Sequence, residues 1–206
     1  MLERLYLIVD SSDWLRRLLP CGVKLVQLRI KDGAVEQVRA EIRTARALCE
    51  QHGAQLVVND FWQLAIEESC DFVHLGQEDL EAADVPAIRR AGIRLGISTH
   101  DEEELGRALA HKPDCVALGP IYPTVLKAMR FAPQGLEKIT QWKARLGSTP
   151  LVAIGGLTVE NAPPVFAAGA DSLCVVTDVL RSPSPELRTR QWLDAAAGGY
   201  RPSTQP

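Results

Sequence analysis

What the chain lacks narrows its identity first. Its five cysteines, Cys21, Cys49, Cys70, Cys115 and Cys174, form no Cys-x-x-Cys pair, so neither a zinc ribbon nor a dithiol redox motif is supported. No apolar stretch is long enough to span a bilayer, and the N-terminal MLERLYLIVD is too short and too charged for a secretory signal. No charge of one sign dominates: a formal net charge of −3 over 206 residues argues against a surface dedicated to nucleic acid or anionic lipid. Linkers, low-complexity runs and internal repeats are missing. So is a Gly-x-Gly-x-x-Gly after the first apolar run, which counts against a dinucleotide-binding sheet. The expectation is a reduced, cytoplasmic protein with no membrane or nucleic-acid partner; self-association is left open.

What is present is regular. A hydrophobic content of 46% and a charged content of 24% are those of a globular chain, long enough to bury a core without staples. Short, nearly continuous apolar runs recur at Leu5–Val9, Lys24–Arg29, Gln55–Val58, Phe72–Leu75, Arg94–Ser98, Cys115–Gly119, Leu151–Gly155 and Ser172–Val176. Runs of this kind suit parallel strands covered on both faces. Cys115 and Cys174 sit inside two of them and read as small buried residues. Between the runs, Val35–His52 carries a helical stripe at Val35, Val38, Ile42, Ala45 and Leu48. Shorter helices are predicted over Asp60–Ser69, Pro86–Arg90, Asp101–Ala110, Leu136–Leu146 and Val159–Ala168. In the helix after the third strand, Trp62, Ala65 and Ile66 share a face while Glu67 and Glu68 project from the other side. The four tryptophans, Trp14, Trp62, Trp142 and Trp192, read as packing residues in helices. Eight strands alternating with helices predict an α/β fold, a single-domain (β/α)8 TIM barrel over residues 1–196 with a flexible tail over 197–206. A doubly wound open sheet is the runner-up, because periodicity does not report closure.

In a parallel barrel the chemistry sits where strands end, and these strands end in polar or glycine residues. The second supplies Gln27, Arg29 and Lys31, the third Asn59 and Asp60, and the fourth leads to Gln77 and Asp79. The fifth ends in Ser98, Thr99 and His100; the sixth opens into a long loop with Thr124 and Lys127; the seventh ends in Gly155-Gly156 and the eighth in Thr177. Each has an ordinary explanation: Asn59 or Asp60 as a helix N-cap, Asp79 as a cap or solvated turn, the glycine pair as a tight turn. His74, flanked by Val73 and Leu75, reads as an interior histidine rather than a metal ligand, and His100 is left open. Arg29 and Lys31 flank one residue and point the same way on an extended chain. Two such cations near a barrel mouth favour an anionic partner. Asp60 and Asp79 suit Mg²⁺, which shares its shell with substrate phosphates, and Gly156 with the Val176-Thr177 backbone would form a second phosphate site. Together they predict an enzyme that joins two phosphorylated small molecules.

From Leu5 to Leu180, the ordered segments QLRIKD, VVND, HLGQEDL, LGISTH, ALGPIYPT with a following lysine, AIGG and GADSLCVV resemble the thiamine phosphate synthase (thiamine-phosphate pyrophosphorylase) family. The resemblance implies a TIM barrel and a Mg²⁺-dependent transferase. That reaction joins hydroxymethylpyrimidine diphosphate to thiazole phosphate, giving thiamine phosphate and pyrophosphate through a dissociative, carbocation mechanism. It implies that Gln27, Leu28, Arg29, Ile30, Lys31, Asn59 and Ser98 bind the pyrimidine diphosphate, that Asp60 and Asp79 ligate Mg²⁺, and that Lys127 reaches the leaving group. Arg29, Lys31, Ser98 and Lys127 would then be catalytic. Thr124, Val125 and Leu126 would line the thiazole phosphate side, with Gly156, Val176 and Thr177 holding its phosphate. The family pattern Thr-x-Thr-Lys is here Thr124-Val125-Leu126-Lys127; Leu126 has no hydroxyl, and Arg130 is the nearest candidate replacement. Two alternatives stay open: a thiazole tautomerase-like isomerase, which lacks the carboxylate pair, and a non-catalytic phosphate-ligand-binding barrel.

Overall fold

Eight parallel strands pair in sequence order and close, β8 returning to β1. The computed structural model describes residues 2–124 and 131–198. The order is β1 (Leu5–Val9), α1 (Ser12–Leu18), β2 (Leu25–Leu28), α2 (Val35–His52), β3 (Gln55–Asn59), α3 (Trp62–Glu67) and β4 (Phe72–Leu75). Then come α4 (Gln77–Ala82), α5 (Val85–Arg90), β5 (Arg94–Thr99), α6 (Glu102–Ala110), β6 (Cys115–Leu118) and α7 (Gly135–Leu146). The chain continues through β7 (Leu151–Ile154), α8 (Ala162–Ala167), β8 (Ser172–Val175), α9 (Thr177–Leu180) and α10 (Pro185–Ala196). Short 3₁₀ turns at Leu19–Cys21 and Val159–Asn161 lead into β2 and α8. The TIM barrel, rather than the open sheet, is therefore the fold.

Alternation along each strand separates two cores. Tyr6, Ile8, Leu25, Val57, Phe72, Cys115, Ala117, Val152 and Cys174 fill the inside of the barrel. Leu7, Val26, Leu28, Val58, Val73, Leu95, Val116 and Leu173 face outward into the larger core beneath the helices. Both faces of every strand are thus buried, which is why the strands read as unbroken apolar runs. Cys115 and Cys174 are small buried interior residues, as expected.

The helix α2 has the bounds expected of it and buries Val38, Ile42, Ala45 and Cys49. Val35, placed on its apolar stripe by sequence, is its first residue and is exposed. The helix expected over 60–69 shortens to Trp62–Glu67, because Asp60 turns left-handed and Ser69 does so again. Glu68 is not a solvated face: it is buried and ion-paired with Arg39 and Arg43 of α2. The expected Val159–Ala168 helix starts as a 3₁₀ turn, since Pro163 and Pro164 have no N–H to give and are accepted at the head of α8. The segment that holds Gln77 and Asp79, for which no helix is expected, is the helix α4, so Asp79 is not in a solvated turn. Trp142 and Trp192 pack as expected, fully buried. Of the expected tail, residues 199–206 lie outside the described residues.

The N-terminal end of the barrel is tied by a repeated device. Asp114, just before β6, accepts the Leu95 N–H at 2.8 Å and pairs with Arg89 of α5 at 2.6 Å. Asp171, just before β8, accepts the Leu151 N–H at 2.7 Å and pairs with Lys143 of α7 at 2.7 Å. One carboxylate thus satisfies an amide at the start of the preceding strand and fixes the helix that leads into that strand. Asp171→Ala orphans that strand amide and is expected to cost about 1–3 kcal/mol in urea unfolding. Because the substitution lies at the end of the barrel away from the strand C-termini, activity per folded molecule should stay at the wild-type level.

Candidate active site

At the C-terminal ends of the strands the inward positions change from apolar to polar. Gln27 of β2 is buried, and its Nε2 donates to the Tyr6 hydroxyl at 2.8 Å. Burial pushes the Tyr6 phenol up, so it stays a neutral hydrogen-bonding floor. Asn59 ends β3, buried, and its Nδ2 donates to the Asp60 carboxylate. His74 of β4 stands beside Asn59 in register, and Ser98 of β5 is two residues above the Gly96 that pairs with His74. The polar ring is a direct product of strand register.

Asp60 is the pivotal residue. It is not the N-cap of α3, whose cap is Phe61 without a side-chain bond. Instead its φ of 64° places it in the left-handed region, where Asp is tolerated at a local cost. Three backbone bonds hold it there: Asp60 N–H to His74 O at 2.9 Å, Phe61 N–H to Asn59 O at 2.8 Å, and Trp62 N–H to Asp60 O at 2.7 Å. Its side chain thereby meets that of Asp79, the third residue of α4. Burial, and then the adjoining Asp79 carboxyl, push Asp60 up to about 6, against the opposing pull of Arg29 and the Gly76 N–H. Gly76 leaves room for this approach, since a Cβ there would lie 3.0 Å from Asp79 Oδ2.

Beside the carboxylates, His74 is interior as expected, but only half satisfied. Its Nε2 meets Ser98 Oγ at 2.8 Å, while Nδ1 is buried with no partner among the described residues. Burial and then the Arg29 charge bring its pKa down to about 4. Gly96 makes the space: a Cβ there would lie 2.6 Å from His74 Nδ1 and 2.9 Å from Cys115 Sγ. Gln77 bridges α4 to β5, donating from Nε2 to the Ser98 carbonyl at 2.7 Å. His100 stacks on Phe131, with centroids 4.6 Å apart, and its Nδ1 lies 2.7 Å from Glu104 Oε2.

The opposite side of the mouth is built from backbone. Gly155 and Gly156 have φ of 98° and 68°. A Cβ on Gly155 would stand 2.7 Å from Pro120 Cα, and one on Gly156 would stand 2.6 Å from the Pro123 carbonyl oxygen. The pair therefore admits the segment after β6, which bonds back through Ile121 N–H to Ile154 O and Tyr122 N–H to Gly155 O. Val176 caps α9, so Thr177 starts that short helix rather than ending β8.

Other expected residues separate. Leu28 and Ile30 turn into the outer core, so only their backbone is available at the mouth. Arg29 is partly buried and close enough to act on both Asp60 and His74. Lys31 lies in a bend and is exposed, so the strand does not extend to carry both cations on one face. Thr124 is partly buried; Val125, Leu126, Lys127 and Arg130 lie outside the described residues. Tyr6 and Gly96 carry no local polar signal and are found only through strand register.

The donor set fits a hard divalent cation. The Asp60 carboxyl, pushed up by burial and by the adjoining Asp79, would be relieved by a 2+ charge, and oxygen ligands suit Mg²⁺. No group of three or more His, Cys, Asp or Glu side chains that could hold a metal occurs among the described residues. Asp60 and Asp79 would thus be joined by water and substrate oxygens. No helix among the described residues is long and apolar enough to cross a membrane.

Comparison with known proteins gives the same region a context. Residues 5–179 match the family described as thiamine monophosphate synthase. The chain is 62% identical over 196 residues to the thiamine-phosphate synthase of Rhizobium etli, covering 95% of this chain and 96% of that one. It is 48% identical over 195 residues to that of Enterobacter sp., covering 95% and 92%. In structure it resembles thiamine phosphate pyrophosphorylase from Pyrococcus furiosus, with a TM-score of 0.84 at 24% identity, over 96% of this chain and 97% of that one.

His74 yields a pH prediction. With a folded pKa near 4 and an unfolded value of about 6.5, the unfolded chain binds a proton in that window that the folded chain refuses. The neutral-histidine contribution is therefore complete above the unfolded value and is lost as pH falls towards 4, by about 3 kcal/mol in total. In NMR the His74 ring should not titrate from about pH 8 down to about pH 5; a midpoint in the ordinary histidine range would contradict its buried, neutral state.

Proposed function

The chain belongs to the thiamine monophosphate synthase family as an enzyme of thiamine phosphate synthesis, and from that premise we propose how its residues divide the work. The reading is that it joins hydroxymethylpyrimidine diphosphate to thiazole phosphate, releasing pyrophosphate, in the cytoplasm and with Mg²⁺. The observation that carries it is the Asp60–Asp79 pair at the mouth, within reach of the Arg29 charge. A tautomerase-like isomerase or a passive phosphate binder has no use for two adjoining, half-buried carboxylates.

Asp60 and Asp79 would hold Mg²⁺, which when bound supplies positive charge to the diphosphate oxygens. Arg29, Lys31 and Lys127 would neutralise the rest of that charge as it grows. The bond from the pyrimidine methylene carbon to the diphosphate oxygen breaks with its electron pair leaving on the oxygen. The thiazole nitrogen then gives its lone pair to the same carbon. No proton need be moved by the protein, which suits a polar ring that is neutral apart from its metal ligands and cations. Gln27 and Asn59 would orient the pyrimidine, and Ser98, its hydroxyl held by His74, would contact the same substrate. Leu28 and Ile30 would contribute backbone groups alone. Thr124, Val125 and Leu126 would border the thiazole phosphate, and the amides of Gly156, Val176 and Thr177 would receive its phosphate.

Purified protein with both substrates and Mg²⁺ should release pyrophosphate and form thiamine phosphate, detected by chromatography; product without Mg²⁺ or without either substrate contradicts the reading. Asp79→Ala should lower Mg²⁺-dependent turnover by about two orders of magnitude, and unchanged dependence on Mg²⁺ concentration would remove Asp79 from the ligand set. Lys127→Ala should lower kcat by about 10²–10³ while substrate affinity changes far less; an equal loss in both, seen by steady-state kinetics and titration calorimetry, would make it a binding residue only.

A further inference from the structure

Arg188 sits in α10, remote in sequence from every strand end, yet it grips two of them. Its Nη1 and Nη2 donate to Glu160 Oε1 and Oε2, both at 2.8 Å. Its Nε and Nη2 donate to Asp178 Oδ2 and Oδ1 at 2.8 and 2.9 Å. Paired bonds of this kind fix orientation as well as distance. Arg188 and Asp178 are largely withdrawn from solvent, with side chains 17% and 15% exposed, whereas Glu160 is 57% exposed, so the Asp178 pair is the shielded half of the grip.

Each carboxylate stands next to a strand-end turn. Glu160 lies in the 3₁₀ turn Val159–Asn161, whose Asn161 donates from Nδ2 to the Gly156 carbonyl at 3.0 Å and accepts the Thr158 N–H at 2.8 Å. Asp178 follows Thr177 directly in the four-residue helix α9. A helix of one turn does not hold itself; besides Arg188, Trp192 of α10 secures it, donating from Nε1 to Asp178 Oδ2 at 2.7 Å. Two carboxylates already neutralise the guanidinium, so Arg188 has little charge left for a ligand.

We propose that Arg188 is a positioning residue for the monophosphate substrate: it sets the Gly156 turn and the Val176-Thr177 turn against one another so that their amides converge on one phosphate. This rests on the reading above, in which those amides receive the thiazole phosphate. Among the described residues, no side-chain hydrogen bond or ion pair joins this clamp to the pyrimidine diphosphate side, built on β2 to β5.

Arg188→Gln should raise the KM for thiazole phosphate by about tenfold or more while the KM for the pyrimidine diphosphate stays within about twofold and kcat within about threefold. Glu160→Gln, which leaves the Asp178 pair intact, is the milder variant and should raise the same KM by about threefold, carrying the test if Arg188→Gln does not fold. Titration calorimetry with thiazole phosphate alone should show the same weakening. The proposal is overturned if a folded variant binds thiazole phosphate as the wild type does, or if both KM values rise together, which is what general loosening of the barrel would produce. A wild-type chain that binds thiazole phosphate but forms no product would count against the proposed reaction and leave the clamp to be judged by the calorimetry.

Discussion

A barrel of eight parallel strands must fill its own interior, and here the filling changes character along the axis. Below, Phe72, Leu25, Val57 and Val152 pack as an ordinary core. Above, the same inward register delivers Gln27, Asn59, His74 and Ser98. Burying polar groups without partners costs about 1–3 kcal/mol each, and the members of the upper layer largely satisfy one another, with His74 Nδ1 left unpartnered among the described residues. Tyr6 takes Gln27, Asp60 takes Asn59, and Ser98 takes His74. The chemistry rests on a polar layer that stands on an apolar one.

The layer has one deliberate conflict. Asp60 is placed against Asp79 although that carboxyl opposes the ionisation of Asp60, and the left-handed turn at Asp60 adds to the cost. The sign of that conflict matters. A carboxyl whose folded pKa lies above its unfolded value makes the fold less stable as pH rises through it, so the unliganded pair weakens the molecule at neutral pH. A divalent cation bound there would reverse the term, and the molecule's own stability would then favour the loaded site. His74 contributes the opposite slope, because it is held neutral. Its charge would compete with the cation, so burying it beside Arg29 keeps the mouth's positive charge where the diphosphate would use it.

Much of this was legible in the sequence, for physical reasons that can be named. Strands covered on both faces are apolar throughout, so all eight were readable as runs, and their polar C-terminal residues marked the mouth. Other residues take their meaning from partners far along the chain. Asp60 looks like a helix cap until the His74 carbonyl is seen to hold its amide. Glu68 looks solvated until Arg39 and Arg43 arrive from α2. Lys31 looks like a partner of Arg29 only if the strand continues, and it ends at Leu28. Gly96 gives no signal of its own; its meaning is the space it leaves for His74.

The two ends of the barrel use the same residue types to opposite purposes. At the lower end Asp114 and Asp171 each find a strand amide and a helix cation. At the upper end Asp60 meets another carboxylate, and its charge is left wanting a partner. Arg188 shows a third arrangement, a cation satisfied by two carboxylates, which makes it rigid and electrostatically quiet. A phosphate is better received by amides held in place than by a mobile charge that could also seize the diphosphate. On the proposed reading, keeping the cations with the leaving group and the amides with the monophosphate would let one mouth tell two phosphorylated substrates apart.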